Sequence, residues 1–469
     1  MGKLKLALPK GRLLDETAAL LDNAGWGLSG YHQGSRSYHL KSTEFPDLLI
    51  KVFHEKDIPI QVAVGNYDLG ICGLDWTTEL LTKYLASAVV RVRALGHGQS
   101  MLYMAAAKQP GTSAARIPSR RGITRIATEY PNLAESFAVS HRLRRFSVFP
   151  VWGAAEVYPP ENADLALISV KAEEELAANG LVPVSKVLDS SAFLIANRDS
   201  WESKDMRQVL VSIGHSRQRL APATGAARVP VVTEGHHYEP PAEDTVWLAL
   251  PDGHQQLPTL GLLTRAGIQI SDYPSPNGNR RPDANLAGVR VKVIRPQDMP
   301  AQVANGNFHL AITGRDWLME HLYQFPSSPV TELADLKFGK VKIVAVVSKY
   351  LAMEDIHDLR QLSSGRRVPL RVASEYVNIA DKYARDNHLG WYRVVPTWGA
   401  SEGFLPEDAD LLIENMQTGR TLSWHNLKTI DRLFESTACL IGSTADIPSG
   451  SKGERIRQII ATLRAAVED

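Results

Sequence analysis

Apolar and polar positions along this chain fall into short blocks that switch between two periods. An apolar run of strand length at 3–8 stops at Pro9-Lys10-Gly11-Arg12, and residues 13–24 then carry Leu13, Leu14, Ala18 and Leu21 at helical spacing up to Gly25. Alternation over 35–40, with a partner run at 48–53, predicts a hairpin within 29–53. Asp57 with Pro59 just inside is helix-start chemistry, 68–73 reads as a buried strand, a helix follows from Asp75, and 89–107 is an extended apolar stretch. A basic loop at 110–122 leads to a strand at 124–127, a helix at 133–142 opened by Glu129-Tyr130-Pro131-Asn132, and strands at 147–151 and 164–170. A returning strand at 191–197 and a closing helix at 204–219 finish the pattern. Strands alternating with helices, plus a segment that leaves and returns, predict a two-lobed α/β module.

The same pattern then runs a second time. Leu6-Ala-Leu-Pro-Lys-Gly11 returns as Leu248-Ala-Leu-Pro-Asp-Gly253, offset by 242 residues, and Gly73-Leu-Asp-Trp76 returns as Gly314-Arg-Asp-Trp317, offset by 241. Ala127-Thr-Glu-Tyr-Pro-Asn132 returns as Ala373-Ser-Glu-Tyr-Val-Asn378, and Trp152-Gly-Ala-Ala-Glu156 as Trp398-Gly-Ala-Ser-Glu402, both offset by 246. Ordered matches with one small drift in spacing identify two homologous modules, expected at 1–220 and 245–469. The segment between them, 221–244, is rich in Pro and Ala without periodicity and reads as a linker.

One stretch concentrates candidate chemistry. The apolar strand at 411–413 runs into Glu414 and Gln417, then Thr418-Gly419-Arg420-Thr421 and a helix start. Gly419 permits a tight turn, and the backbone amides and Thr hydroxyls of 418–421 can converge on an anion, with Glu414 placed to accept from sugar hydroxyls. The matching place in the first module reads Lys171-Ala-Glu-Glu-Glu175, whose adjacent carboxylates repel a phosphate. Conversely, the first module keeps the cationic turn Lys10-Gly11-Arg12, where the second has Asp252-Gly253-His254. The second module instead gains Arg295 and Arg315.

Composition narrows the classes. A net charge of +1 supplies no bulk field for nucleic acid or an anionic membrane, so a phosphate ligand must be held by local groups. The two cysteines, Cys72 and Cys439, sit in apolar runs with no metal spacing and read as reduced core residues. No apolar run reaches the length of about 18 residues that a membrane span needs, and the start of the chain lacks signal-peptide patterning, so a cytoplasmic protein is expected.

Leu-Pro-Lys-Gly-Arg at 8–12, Arg-Pro-Gln-Asp at 295–298, Ala-Thr-Glu-Tyr-Pro-Asn at 127–132 and Gln-Thr-Gly-Arg-Thr-Leu at 417–422 together resemble the catalytic portion of ATP phosphoribosyltransferases. The resemblance covers both modules. It implies two tandem bilobal modules of the periplasmic-binding-protein type II kind, each with two mixed or parallel sheets flanked by helices. It implies joining of ATP N1 to the ribose of phosphoribosyl pyrophosphate, the first step of histidine biosynthesis, with Mg as cofactor. By the same resemblance Arg295, Arg315 and Arg36 would meet the leaving pyrophosphate. Glu414, Gln417, Thr418, Gly419, Arg420, Thr421, Lys10, Gly11, Arg12 and Glu375 would bind substrate, and Glu414 is also the candidate metal ligand. A homo-oligomer and a regulatory subunit are possible partners. The family loop is usually Glu-Thr-Gly-Thr-Thr-Leu after an upstream Asp, whereas Glu414, Gln417 and Arg420 stand at the departing positions here. A non-catalytic nucleotide- or histidine-binding regulator of the same fold is the alternative.

Overall fold

The computed structural model describes residues 3–85, 88–108, 122–217, 242–276, 278–443 and 449–468. The expected linker and the 110–122 loop lie almost wholly outside the described residues. The chain divides into two compact units. The first comprises Met1–Pro150, Tyr158–His237 and Thr397–Gly403, and the second Val151–Val157, Tyr238–Pro396 and Phe404–Asp469. Each unit thus takes in the Trp-Gly-Ala motif carried by the other half of the sequence repeat.

In the first unit the strands are β1 (Lys5–Lys10), β2 (His39–Leu40), β3 (Leu49–His54), β4 (Leu69–Gly73), β5 (Val89–Ala94), β6 (Ser100–Ala107), β7 (Thr124–Thr128), β8 (Phe146–Pro150), β9 (Leu165–Val170), β10 (Leu181–Ser190) and β11 (Ala192–Asn197). The helices are α1 (Leu14–Asn23), α2 (Asp57–Ala63), α3 (Leu74–Lys83), α4 (Pro131–Ser140), α5 (Glu174–Ala178), α6 (Arg198–Ser203) and α7 (Arg207–Arg217). One sheet has the order β2-β3-β1-β4-β11-β5 and the other β10-β6-β9-β7-β8. The chain leaves the first sheet after β5 and returns through β11, which makes two lobes. The extended stretch expected at 89–107 is two strands, one in each lobe, and the hairpin shrinks to a two-residue pairing of His39-Leu40 with Ile50-Lys51.

The second unit repeats this with β12 (Val246–Pro251), β13 (Val289–Ile294), β14 (Leu310–Gly314), β15 (Val330–Asp335), β16 (Val341–Ser348), β17 (Leu370–Ser374), β18 (Tyr392–Pro396), β19 (Leu411–Met416), β20 (Leu427–Ser436) and β21 (Ala438–Ser443). Its helices are α8 (Gln256–Arg265), α9 (Met299–Ala304), α10 (Arg315–Gln324), α11 (Ile356–Ser364), α12 (Val377–Asp386), α13 (Arg420–Trp424) and α14 (Ser451–Glu468). The sheets are ordered β13-β12-β14-β21-β15 and β18-β17-β19-β16-β20. Both units are therefore α/β and bilobal, with mixed sheets flanked by helices.

The central strands are apolar on both faces because helices cover both. Leu6 and Leu8 of β1, Leu248 and Leu250 of β12, and Leu411 and Ile413 of β19 are all fully buried. Each such side chain contributes roughly 1.5–3 kcal/mol of transfer free energy. Each lobe has its own core, with Trp26 in the first lobe of the first unit and Tyr376 in the second lobe of the second. Cys72 and Cys439 are buried free thiols whose pKa values burial pushes up. No helix among the described residues is long and apolar enough to cross a membrane.

Candidate functional site

Parallel strands deliver their carboxyl ends to the cleft side of each lobe, so side chains just past β12, β13, β14, β17 and β19 are the ones to inspect. In the second unit β12 ends at the turn Asp252-Gly253-His254, where Gly253 takes φ +78°, a conformation costly for other residues. Asp252 occupies the place of Lys10. Its carboxylate takes the Arg280 guanidinium at 2.6 Å and that of Arg295 at 3.1 Å. Burial opposes ionisation of Asp252, but the hydrogen bond from Arg280 and the charges of both arginines outweigh it and hold the carboxyl below its ordinary range. Two guanidiniums against one carboxylate leave the strand end positive. A Cβ on Gly153 would stand 3.2 Å from Arg295 Nε, and Asp298 accepts the backbone N–H of Trp152 at 3.0 Å. The segment 151–157 therefore packs directly behind Arg295. Buried Lys292 and half-buried Arg281 both donate to the carbonyl of Val157, at 3.0 and 2.8 Å.

Arg280 was absent from the sequence candidates, although a signal for it exists. Tyr31 and Tyr273 donate to the carbonyls of Pro9 and Pro251 at 2.7 and 2.8 Å, fixing equivalent loops. Gly34 and Gly278 in those loops both have positive φ, and Arg36 and Arg280 each stand two residues later. Arg36 itself is exposed, on the segment leading into β2.

Arg315, at the start of α10, forks onto Glu332 at 2.8 and 2.7 Å and reaches Asp335 at 3.1 Å. The hydrogen bond it donates to Glu332 leads the causes that raise its pKa. Its charge is thus met by two carboxylates of β15.

The other lobe supplies the loop. β19 continues through Met416, three residues beyond the apolar run, because Glu414, Asn415 and Met416 still pair with Val344, Ile343 and Lys342 of β16. Glu414 Oε1 accepts from the backbone N–H and the side-chain amide of Asn415, at 2.9 and 3.0 Å. Gly419 then turns the chain at φ +73° into the single turn of α13. Gln417, Thr418 and Arg420 are exposed, with Gly419 and Thr421 half-buried. Among the described residues no acceptor meets the amides of Thr418, Gly419 or Arg420. Glu375 follows β17 and is half-buried. Tyr376, beside it, stacks on Trp317 with centroids 4.4 Å apart and donates to Asp316 at 2.6 Å. Burial first, then the charges of Asp316, Glu414 and Glu375, push the tyrosine pKa far up, so it stays neutral.

The first unit differs at each of these points. Lys10 lies over the Tyr38 ring at 5.2 Å, after which Gly11 turns at φ +88°. Arg12 donates to Ser100, to Glu55 at 2.9 Å and to Asp75 at 3.1 Å. Desolvation works against its charge, but Asp75 and Glu55 more than compensate and raise the pKa. His54 is driven down to about 4 by burial, with Lys56 and Lys10 adding to it, so it is neutral near pH 7. Lys56 pairs with Glu129 at 2.6 Å across the lobes. At the position matching Thr421, the carboxylate of Glu175 accepts the N–H of Lys171 at 3.3 Å. The first unit thus carries an anion of its own at this end of its loop.

Among the described residues no three His, Cys, Asp or Glu side chains gather into a protein cage for a metal. Glu414 is a single carboxylate on an exposed strand end. That donor set fits a magnesium ion that keeps substrate oxygens and water as most of its ligands.

The family model described as ATP phosphoribosyltransferase matches this chain twice, over residues 54–215 and 295–465. The ATP phosphoribosyltransferase of Saccharolobus solfataricus is 33% identical over 225 residues, 47% of this chain and 71% of that protein. That of Chlorobaculum parvum is 31% identical over 225 residues, again 47% and 71%. Among solved structures, the "ATP phosphoribosyl transferase (HisG:HisZ) complex from Thermotoga maritima" aligns at 22% identity and a TM-score of 0.39, covering 46% of this chain and 100% of that one.

Proposed function

This chain belongs to the ATP phosphoribosyltransferase family as a duplicated module, and we propose that its second unit carries the transfer of the phosphoribosyl group from phosphoribosyl pyrophosphate to ATP while its first unit does not bind phosphoribosyl pyrophosphate. In the reaction, adenine N1 attacks ribose C1, the C1–O bond to pyrophosphate breaks, and the electron pair leaves with pyrophosphate. N1 is already nucleophilic, so the protein's task is placement and charge. The amides of 418–421 hold the 5′-phosphate and Glu414 accepts from the ribose hydroxyls. Arg295, backed by Gly153 and Asp252, meets the charge growing on pyrophosphate, and Gln417 and Arg420 edge the same loop. Glu414, with the substrate's own oxygens, would hold magnesium, which would supply charge neutralisation at the leaving group.

The observation that carries this reading is the contrast between the two loops. One turns through a left-handed Gly419 between Thr418 and Thr421, and the other has Ala172-Glu-Glu-Glu175 there, with the Glu175 carboxylate on the N–H of Lys171. That contrast also favours, for the first unit, the alternative reading of a non-catalytic nucleotide- or histidine-binding regulatory role. The test is turnover of the full chain with ATP, phosphoribosyl pyrophosphate and Mg²⁺, followed by phosphoribosyl-ATP absorbance. Product should form, and Arg295→Ala should lower turnover by about 10²–10³, the usual range for a lost charge-stabilising donor. A wild-type chain that forms no product at saturating substrate refutes catalysis.

A further inference from the structure

A hydrogen-bonded chain in the second unit runs from one lobe to the candidate sugar carboxylate. Asp316, buried at the start of α10, accepts from Ser436 through Oδ1 at 2.7 Å and from Tyr376 through Oδ2 at 2.6 Å. A phenol has one O–H to give, so the bond to Asp316 leaves Tyr376 Oη only as an acceptor. Asn415 Nδ2 meets that oxygen at 3.2 Å and also donates to Glu414 Oε1 at 3.0 Å. Both partners accept, which fixes the orientation of the Asn415 amide and gives Glu414 a charge-assisted bond that selects its rotamer.

We propose that Asn415 is a positioning residue for the sugar-binding carboxylate of Glu414, and that Asp316 and Tyr376 act through it. The first unit supports this by difference. It keeps the tyrosine–aspartate bond, Tyr130 to Asp75 at 3.0 Å, but has Ile168 and Ser169 where the second unit has Glu414 and Asn415. The buried half of the chain is thus common to both units, and its outer end exists only beside the loop with unmet amides. Among the described residues Asp316 also lacks the guanidinium that Asp75 receives from Arg12, so its side-chain donors are the hydroxyls of Tyr376 and Ser436, and linked hydrogen bonds of this kind reinforce one another.

The proposal rests on the second unit's binding of phosphoribosyl pyrophosphate. Its test is steady-state kinetics of the full chain. Asn415→Leu and Tyr376→Phe should each raise KM for phosphoribosyl pyrophosphate about tenfold, with kcat and the KM for ATP changed less than twofold, as for one lost charge-assisted bond. In a Glu414→Gln background, Tyr376→Phe should add no more than a further twofold, because the carboxylate it serves is gone. Asn415 is exposed, so Asn415→Leu should leave thermal unfolding unchanged and separate positioning from folding. Active wild type with unaltered KM in both variants, or full additivity with Glu414→Gln, overturns the relay alone. Wild type that neither binds nor turns over phosphoribosyl pyrophosphate overturns the functional reading and the relay with it.

Discussion

Thr421→Glu copies the first unit's sequence into the second unit's loop. In the first unit the side chain at this position already places a carboxylate oxygen 3.3 Å from the backbone N of the residue matching Gln417. The same rotamer at 421 puts an anion where the 5′-phosphate is proposed to sit. Two effects then add. A unit charge about 4 Å from the phosphate costs from about 1 kcal/mol at the dielectric of water to about 4 at an effective value of 20, and this exposed loop belongs near the lower end. The added side chain also crowds the phosphate away from the neighbouring amides of 418–421, and one lost charge-assisted bond is worth about 1.5 kcal/mol. The sum, about 3 kcal/mol, weakens phosphoribosyl pyrophosphate binding about 10²-fold. Isothermal calorimetry on the full chain measures it, and raising the salt concentration should narrow the gap because the loop is exposed. Thr421→Gln fills similar space without charge and should lose roughly half as much. If Thr421→Glu binds within threefold of wild type, the phosphate is held somewhere other than at 418–421.

Acid should soften both units. His54 and His309 each have a folded pKa of about 4, against about 6.5 when unfolded, so the unfolded chain takes up protons first and stability falls with pH from about 6.5 down through 4. At pH 4.5 His54 contributes a loss of about 2.5 kcal/mol relative to pH 7, and His309, which is closer to solvent, contributes less. Protonation at His309 Nδ1 would also break its bond from the Trp247 N–H, 2.9 Å long. Urea unfolding at the two pH values should show a smaller drop in a His54→Gln, His309→Asn double variant, and an equal drop refutes the assignment. Arg315→Ala should lower the melting temperature by removing the bidentate contact to Glu332, with KM for phosphoribosyl pyrophosphate unchanged. A rise in KM of tenfold or more without loss of stability would instead make Arg315 a substrate contact.

Much of the architecture was legible because its signals are local. The repeat, the apolar central strands and the glycine turn at 419 are written in consecutive residues, and α/β modules of two lobes follow from their order. What sequence could not supply depends on contacts between distant residues. The strand through Glu414 extends past its apolar core because β16 pairs with it regardless of polarity. Segments 151–157 and 397–403 join the unit opposite to their place in the repeat because buried partners such as Asp298 and Lys292 receive the former there. Arg280 escaped notice because a lysine-to-aspartate change at 252 looks like the loss of a cation, whereas in space it gathers two.

That last point changes what the missing cationic turn in the second unit means. Arg12 is bound to two carboxylates, and Glu55 is almost fully buried, so removing Arg12 alone would strand a buried charge at a cost of several kcal/mol. The second unit has lost both members together, with His254 and Pro296 at the matching positions, and its Asp316 is satisfied by Tyr376 and Ser436 instead. The absence of Arg12 there removes a brace and its acid as a pair. The absence of Lys10 is offset by Arg280 and Arg295 around Asp252. A net positive strand end and a glycine-turned loop therefore coexist on the two lobes of the second unit, while the first unit retains Lys10 and Arg12 and carries carboxylates in the matching loop. Among the described residues, the second unit thus combines the paired guanidiniums of Arg280 and Arg295 with the glycine-turned loop on which the proposed phosphoribosyl pyrophosphate site depends.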